Sequence, residues 1–142
     1  MKNVGQMLEE KGHTLLSISP DATVFEALQC MANANVGALV VLDGEKLAGI
    51  FSERDYARKV ILVGKSSKET RVREIMTDKV LCVSPERTVE QCMALMTAKR
   101  IRHLPVLDHK KVVGVISIGD VVKEMISEQQ FIISQLESYI HQ

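Results

Sequence analysis

"GIFSERDYAR" (49–58) and "GVISIGDVVK" (114–123) decide the fold, because each places a serine three residues after a glycine and an aspartate three further on. Sliding the chain on itself by 65 residues aligns His13–Ile61 with Asp78–Ile126 without a gap, and 15 of these 49 positions are identical. "SPDATV" (19–24) meets "SPERTV" (84–89), and "LVVLD" (39–43) meets "LPVLD" (104–108). Upstream the match resumes with a shift of three, where "VGQML" (4–8) faces "VREIM" (72–76). Two copies of one supersecondary unit follow, neither able to bury its apolar face alone.

Each copy has the same internal grammar. Leu15–Ile18 and Val80–Val83 are short apolar stretches ending before Ser-Pro, which suits a brief strand. Thr23-x-x-Glu26 and Thr88-x-x-Gln91 then predict capped helix starts, the hydroxyl and the longer side chain each satisfying a free amide. The stripes Val24, Ala27, Leu28, Met31 and Val89, Cys92, Met93, Met96 are spaced for one helical face, so these methionines and cysteines belong to the core. Ala38–Leu42 and Leu47–Phe51, matched by His103–Leu107 and Val112–Ile116, read as adjacent buried strands. Helices at Glu53–Leu62 and from Ile118 onward close the copies. The expected class is α/β in the α+β sense: two β-α-β-β-α units related by a pseudo-twofold and packed through their sheets, plus a C-terminal helix. The boundaries are 1–62 for the first unit with its lead helix, 63–71 for a polar linker, 72–127 for the second unit and 128–142 for an amphipathic tail.

Composition narrows the function. The 142 residues are 46% hydrophobic and 25% charged, as in a globular domain. Eighteen basic residues balance eighteen acidic ones, so no net field draws the chain to nucleic acid or a membrane surface. No apolar run approaches the roughly 20 residues of a membrane span. The start turns acidic where a secretion signal needs its apolar stretch, and Cys30, Cys82 and Cys92 are odd in number, which together predict a reduced cytoplasm.

Other chemistry finds little support. "VGKSS" (63–67) lacks the glycine that a Walker A loop needs five residues before Gly64, where Lys59 stands. His103, His109 and His141 do not fall at metal-ligand spacing, and His13 reads as a surface residue. Cys82 has no neighbouring base in sequence to activate it. No catalytic residue, metal or catalytic cofactor is expected.

The two quoted stretches sit at a strand-to-helix junction, where free amides and the helix dipole favour an anion. Ser-x-x-Asp also fits an N-terminal cap. The other repeated boxes use Glu and Gln, whereas Asp reaches back poorly, so Asp55 and Asp120 are expected to be free for a ligand. A carboxylate accepting two hydrogen bonds suits the vicinal diol of a ribose.

At this point the chain resembles the CBS-domain family, the module named after cystathionine beta-synthase. The resemblance rests on the paired "SP-x-x-TV" segments, "RHLPVLD" (102–108), "VREIMT" (72–77) and the two Gly-x-x-Ser-x-x-Asp closures. It implies a stand-alone CBS pair with two clefts that bind an adenine nucleotide or relative: AMP first, then ATP, NAD or S-adenosylmethionine. One cleft would use Ile50, Ser52, Arg54, Asp55, Thr77, Lys79 and Leu81 with Ile101, Arg102 and His103. The other would use Leu16, Val36, Gly37 and Ala38 with Val115, Ser117 and Asp120. The aspartates would take ribose hydroxyls, the serine and threonine positions ribose or phosphate, and backbone near the strand residues the adenine edge.

On the assignment that the resemblance implies, the Asp55 cleft would gather Arg54, Arg102 and His103, with Thr77, Lys79 and Arg58 nearby, where the other cleft has Gly119, Gly37 and Ala38. The Asp55 cleft is therefore expected to hold a phosphorylated nucleotide and the Asp120 cleft to bind weakly or take an uncharged adenosine portion. The implied role is a non-catalytic sensor that reports to an effector protein. The competing expectations are a structural interaction module with empty clefts and a nucleotide-metabolising enzyme. In the tail, Ile132, Ile133, Leu136 and Ile140 share one stripe, which packs either on a partner chain, giving a homodimer, or back over its own chain.

Overall fold

The computed structural model describes residues 2–12 and 14–140; the expectations for His13 and His141 lie outside them. In chain order the elements are α1 (Val4–Lys11), β1 (Ser17–Ile18), α2 (Val24–Ala34), β2 (Ala38–Asp43), β3 (Lys46–Ser52), α3 (Glu53–Tyr56), α4 (Val72–Ile75), α5 (Val89–Lys99), β4 (His103–Asp108), β5 (Lys111–Ser117) and α6 (Ile118–Ile140). A π-helical turn, Ala57–Ile61, prolongs α3. The mixed α+β class and the doubled order of elements are as expected.

The caps form where the sequence places them. Thr88 accepts from the Gln91 N–H at 3.1 Å while the Gln91 side chain accepts from the Thr88 N–H at 3.0 Å. Thr23 accepts from the Glu26 N–H at 3.1 Å. The stripes of α2 and α5 are buried through Val24, Ala27 and Met31, and through Val89, Cys92 and Met96.

Two compact bodies result. One comprises residues 14–81 with 109–112; the other comprises the described residues of 1–13, 82–108 and 113–142. The first body has the sheet β1-β2-β3, with β1 parallel and β3 antiparallel to β2. Its core includes Val24, Ala27, Leu39, Val41, Phe51, Val60 and Val72. The second has the sheet β4-β5 and a core of Val4, Leu8, Val89, Met96, Leu104, Ile116 and Val121 among others.

The lead helices are exchanged relative to the chain-order boundaries. Helix α1, expected with the first copy, packs in the core of the second, and α4, at the start of the second copy, packs in the core of the first. The exchange is reproduced bond by bond. Val72 N–H donates to Ala22 O and Arg73 N–H to Pro20 O, each at 2.9 Å; Val4 N–H donates to Arg87 O and Gly5 N–H to Pro85 O, each at 2.8 Å. Ala22 and Arg87 are equivalent in the repeat, as are Pro20 and Pro85. The shift of three in the alignment thus joins each lead to the other copy.

The two sheets differ because of one residue. Val83 makes a single parallel bridge to Val106, so the strand expected at Val80–Val83 is reduced to that contact. Its counterpart β1 pairs Ser17 with Val40 and Ile18 with Val41. Pro105 stands where the first copy has Val40, and a proline has no N–H to donate to a ladder.

The motif glycines receive the exchanged leads. A Cβ on Gly49 would lie 2.6 Å from the Thr77 carbonyl oxygen, and one on Gly114 would lie 2.6 Å from a methyl of Leu8. Each strand β3 and β5 is therefore open at this position to close approach by the lead segment.

Helix α6 runs on well past the second core. Ile126, Phe131, Ile132, Ile133, Leu136 and Ile140 are all about half exposed or more, so the tail's apolar stripe does not fold back over its own chain.

Candidate functional site

In the first body, β3 ends at Ser52 and α3 begins at Glu53, so the junction presents the first free amides of the helix. Ser52 has extended backbone, φ −126° and ψ 163°. This turns its N–H toward the side chain of Asp55. The Asp55 Oδ2 accepts from the Ser52 N–H at 3.0 Å and from the Ser52 hydroxyl at 3.1 Å, and the Asp55 N–H donates to Ser52 Oγ at 3.2 Å. The expectation that Asp55 is free is corrected: it closes a capping box on its own helix. An extended N-cap brings the amide within reach of even a short carboxylate.

Its other oxygen looks elsewhere. Asp55 Oδ1 lies 3.4 Å from Thr77 Oγ1 and 3.3 Å from the Lys59 ammonium, and the residue is 9% exposed. Lys59 also donates to the Ile75 carbonyl at 3.2 Å. Thr77 is held by paired backbone bonds with Ile50, each 2.9 Å. A carboxylate offers about four lone-pair positions, so the cap leaves acceptor capacity on Asp55.

The second body repeats the junction. Asp120 Oδ2 accepts from the Ser117 N–H at 2.8 Å, and the Asp120 N–H donates to Ser117 Oγ at 3.1 Å. Asp120 thus also closes a capping box with Ser117, contrary to expectation. Here the added partner is Lys11, at the end of α1, whose ammonium sits 2.6 Å from Asp120 Oδ2 and donates to the Val115 carbonyl at 3.0 Å. Burial pushes the Asp120 carboxyl upward, but the hydrogen bond and charge of Lys11, with the Ser117 bonds, outweigh it and leave the group below its ordinary value.

Of the expected ligand-binding residues, the first body contains Leu16, Val36, Gly37, Ala38, Ile50, Ser52, Arg54, Asp55, Thr77, Lys79 and Leu81. The second contains Ile101, Arg102, His103, Val115, Ser117 and Asp120. Ile50, Ser52, Asp55 and Thr77 come together as expected. Gly37 lies beside the same junction, its carbonyl accepting from the Glu53 N–H at 3.1 Å, and Ala38 pairs with Ser52 across the sheet. A groove of about 570 Å³ in this body is lined by Met31, Asn35, Val36, Gly37, Glu53 and Tyr56 among others. In the second body the Arg102 carbonyl accepts from the Ile118 N–H at 2.8 Å, at the matching place. Arg54 and Arg58 are exposed.

Two lysines at the carboxylates were not anticipated. Lys59 could have been found, since it stands four residues after Asp55 on a helix, a spacing that favours ion pairs. Lys11 is 109 residues from Asp120 and carries no local signal. Burial pushes the Cys82 and Cys92 thiols up, which disfavours a nucleophilic thiolate at either. Among the described residues no group of three or more His, Cys, Asp or Glu could hold a metal ion, and no helix is long and apolar enough to cross a membrane.

A family model described as "CBS domain" matches residues 12–62 and 72–127. The mitochondrial CBS domain-containing protein CBSX3 of Arabidopsis thaliana is 42% identical over 146 residues, covering 96% of this chain and 71% of its own. A CBS-domain crystal structure at 54% identity superposes with a TM-score of 0.85, covering 88% of this chain and 98% of its own. The CBS-domain containing protein of Agrobacterium tumefaciens is 36% identical with a TM-score of 0.83, covering 87% and 99% of the two chains.

Proposed function

The chain belongs to the CBS-domain family, and on that premise we propose that it is a regulatory module that binds an adenosine-containing ligand without transforming it. The observation that carries this reading is the Asp55 carboxylate, nine-tenths buried at a strand-to-helix junction with Ile50, Ser52 and Thr77 beside it. Oδ2 orders the cap, while Oδ1 keeps long contacts that a ribose diol can better. Lys59 supplies a cation that favours a phosphorylated ligand, which makes AMP the first candidate, ahead of ATP, NAD and S-adenosylmethionine. A CBS domain pair solved in complex with 5′-methylthioadenosine and S-adenosyl-L-methionine shares the fold, with a TM-score of 0.77 at 23% identity. The module acts in a reduced cytoplasm, on this proposal, and reports ligand occupancy to a partner protein.

The capping bonds favour a second reading, in which both aspartates serve the fold alone and the chain is a structural interaction module. Thermal melts separate the two. A ligand at a hundred times its Kd stabilises the folded state by about 2.7 kcal/mol, so AMP should raise the melting temperature while inorganic phosphate does not. No shift with AMP, ATP, NAD or S-adenosylmethionine would leave the structural module standing. Incubation with ATP or NAD should yield no product.

The tail supports a homodimer. Ile126, Ile133 and Ile140 repeat at seven residues on α6, with Leu136 between them, a seam that a second copy of the same helix can cover. Sedimentation of a chain ending at Met125 should show a monomer where the full chain is a dimer; a persisting dimer would place the seam elsewhere.

A further inference from the structure

The two junctions are equivalent in sequence but are met by different groups. In the first body, the Ile50 carbonyl and the Asp55 carboxylate are met by the backbone N–H and the hydroxyl of Thr77, at 2.9 and 3.4 Å. In the second body the equivalent pair, the Val115 carbonyl and the Asp120 carboxylate, is met by the single ammonium of Lys11, at 3.0 and 2.6 Å. At Asp55 the hydroxyl contact is long and the Lys59 ammonium stands 3.3 Å away, whereas the Lys11 bond at 2.6 Å is short and charge-assisted, the stronger kind.

Lys11 is delivered to this position by a well-anchored helix. Val4, Met7 and Leu8 of α1 are buried in the second core, and Leu8 packs in the space that Gly114 leaves open. Lys2, before the helix, pairs with Glu124 of α6 at 3.3 Å, and Lys11 pairs with Asp120 on the same helix. The ammonium is thus tethered at high effective concentration beside its carboxylate. Its side chain is still 44% exposed, so it can leave without disturbing the core.

We propose that Lys11 is a built-in competitor at the Asp120 junction, occupying the carboxylate that the cis-diol of a nucleoside would need and keeping that junction closed while the Asp55 junction stays open. This rests on the adenosine-ligand reading above. The difference between the two sites lies in what already sits on each aspartate. A nucleoside must exchange a 3.4 Å hydroxyl contact and a 3.3 Å lysine contact at Asp55, but must displace an ammonium held at 2.6 Å at Asp120. Occupancy in the wild-type chain is therefore one nucleoside per chain.

Calorimetric titration of the full chain with adenosine tests this; an uncharged nucleoside removes any attraction between the lysine and a phosphate. Wild type should bind one adenosine per chain and Lys11→Met two, with the added site roughly ten- to a hundredfold tighter than in wild type, the scale of one charge-assisted bond. Lys11→Arg should stay at one, and Lys11→Met combined with Asp120→Ala should return to one. Methionine keeps the apolar stem, and matching thermal melts check that the variants are folded. Two equal sites in wild type, or a Lys11→Met chain that binds one adenosine or fewer, would overturn the proposal. Absence of binding by both wild type and Lys11→Met would instead fell the nucleoside reading, and this one with it.

Discussion

Asp55→Ala weakens AMP binding roughly ten- to a hundredfold, the loss expected when a hydrogen bond of about 1.5–3 kcal/mol to a charged group is removed. The carboxylate is 9% exposed, and its Oδ1 lies 3.4 Å from Thr77 Oγ1 and 3.3 Å from the Lys59 ammonium. The same substitution also removes the Asp55 half of the capping box, a loss of up to about 1 kcal/mol of stability, and leaves Lys59 without its carboxylate. Binding and folding must therefore be read separately. Asp55→Asn retains an acceptor for the Ser52 amide but replaces the charged diol acceptor with one oxygen and one NH2 donor. It should recover most of the stability while leaving AMP affinity close to that of Asp55→Ala. Calorimetric titration of wild type and both variants, beside urea unfolding of each, makes the comparison. Equal AMP affinity for all three would remove Asp55 from the site; affinity that simply tracks stability would make it a cap and nothing more.

Gly49→Ala destabilises the chain by about 1–3 kcal/mol, the range for forcing an extra carbon into a packed site, and does so more than Gly114→Ala. Both new methyl carbons would meet an atom at 2.6 Å, but the atoms differ. At Gly49 the obstacle is the Thr77 carbonyl oxygen, fixed by the two backbone bonds between Thr77 and Ile50. Met76 closes in as well, its sulfur at 3.0 Å, so the segment has little room to retreat. At Gly114 the obstacle is the end of the Leu8 side chain, which can change rotamer. Displacing Thr77 also moves the hydroxyl that faces Asp55, so Gly49→Ala should weaken AMP binding as well. Urea midpoints of the two variants decide the ranking. A Gly49→Ala chain as stable as Gly114→Ala would show that the lead segment is free to shift.

Local signals were legible in the sequence. The repeat announced itself through "SPDATV" and "SPERTV", the helix starts through Thr23 and Thr88, and the core through the α2 and α5 stripes. Each depends on residues a few positions apart, where spacing alone fixes which side chains meet. The short second-copy strand was legible too in principle, since Pro105 forbids a ladder bond that Val40 allows. Residue types alone do not reveal that Asp55 closes a capping box, because how far its carboxylate must reach depends on the backbone angle at Ser52, which spacing does not show.

Sequence by itself determined the family, the doubled unit and the identity of the Ser-x-x-Asp junctions, because those are written in residue types and their spacing along the chain. Only the tertiary structure decided which lead helix serves which copy, what an added side chain would meet at Gly49 and at Gly114, and that Lys11 sits on Asp120 while Thr77 faces Asp55. These contacts join positions far apart in the chain, and nothing local marks a residue for a partner that only folding brings near.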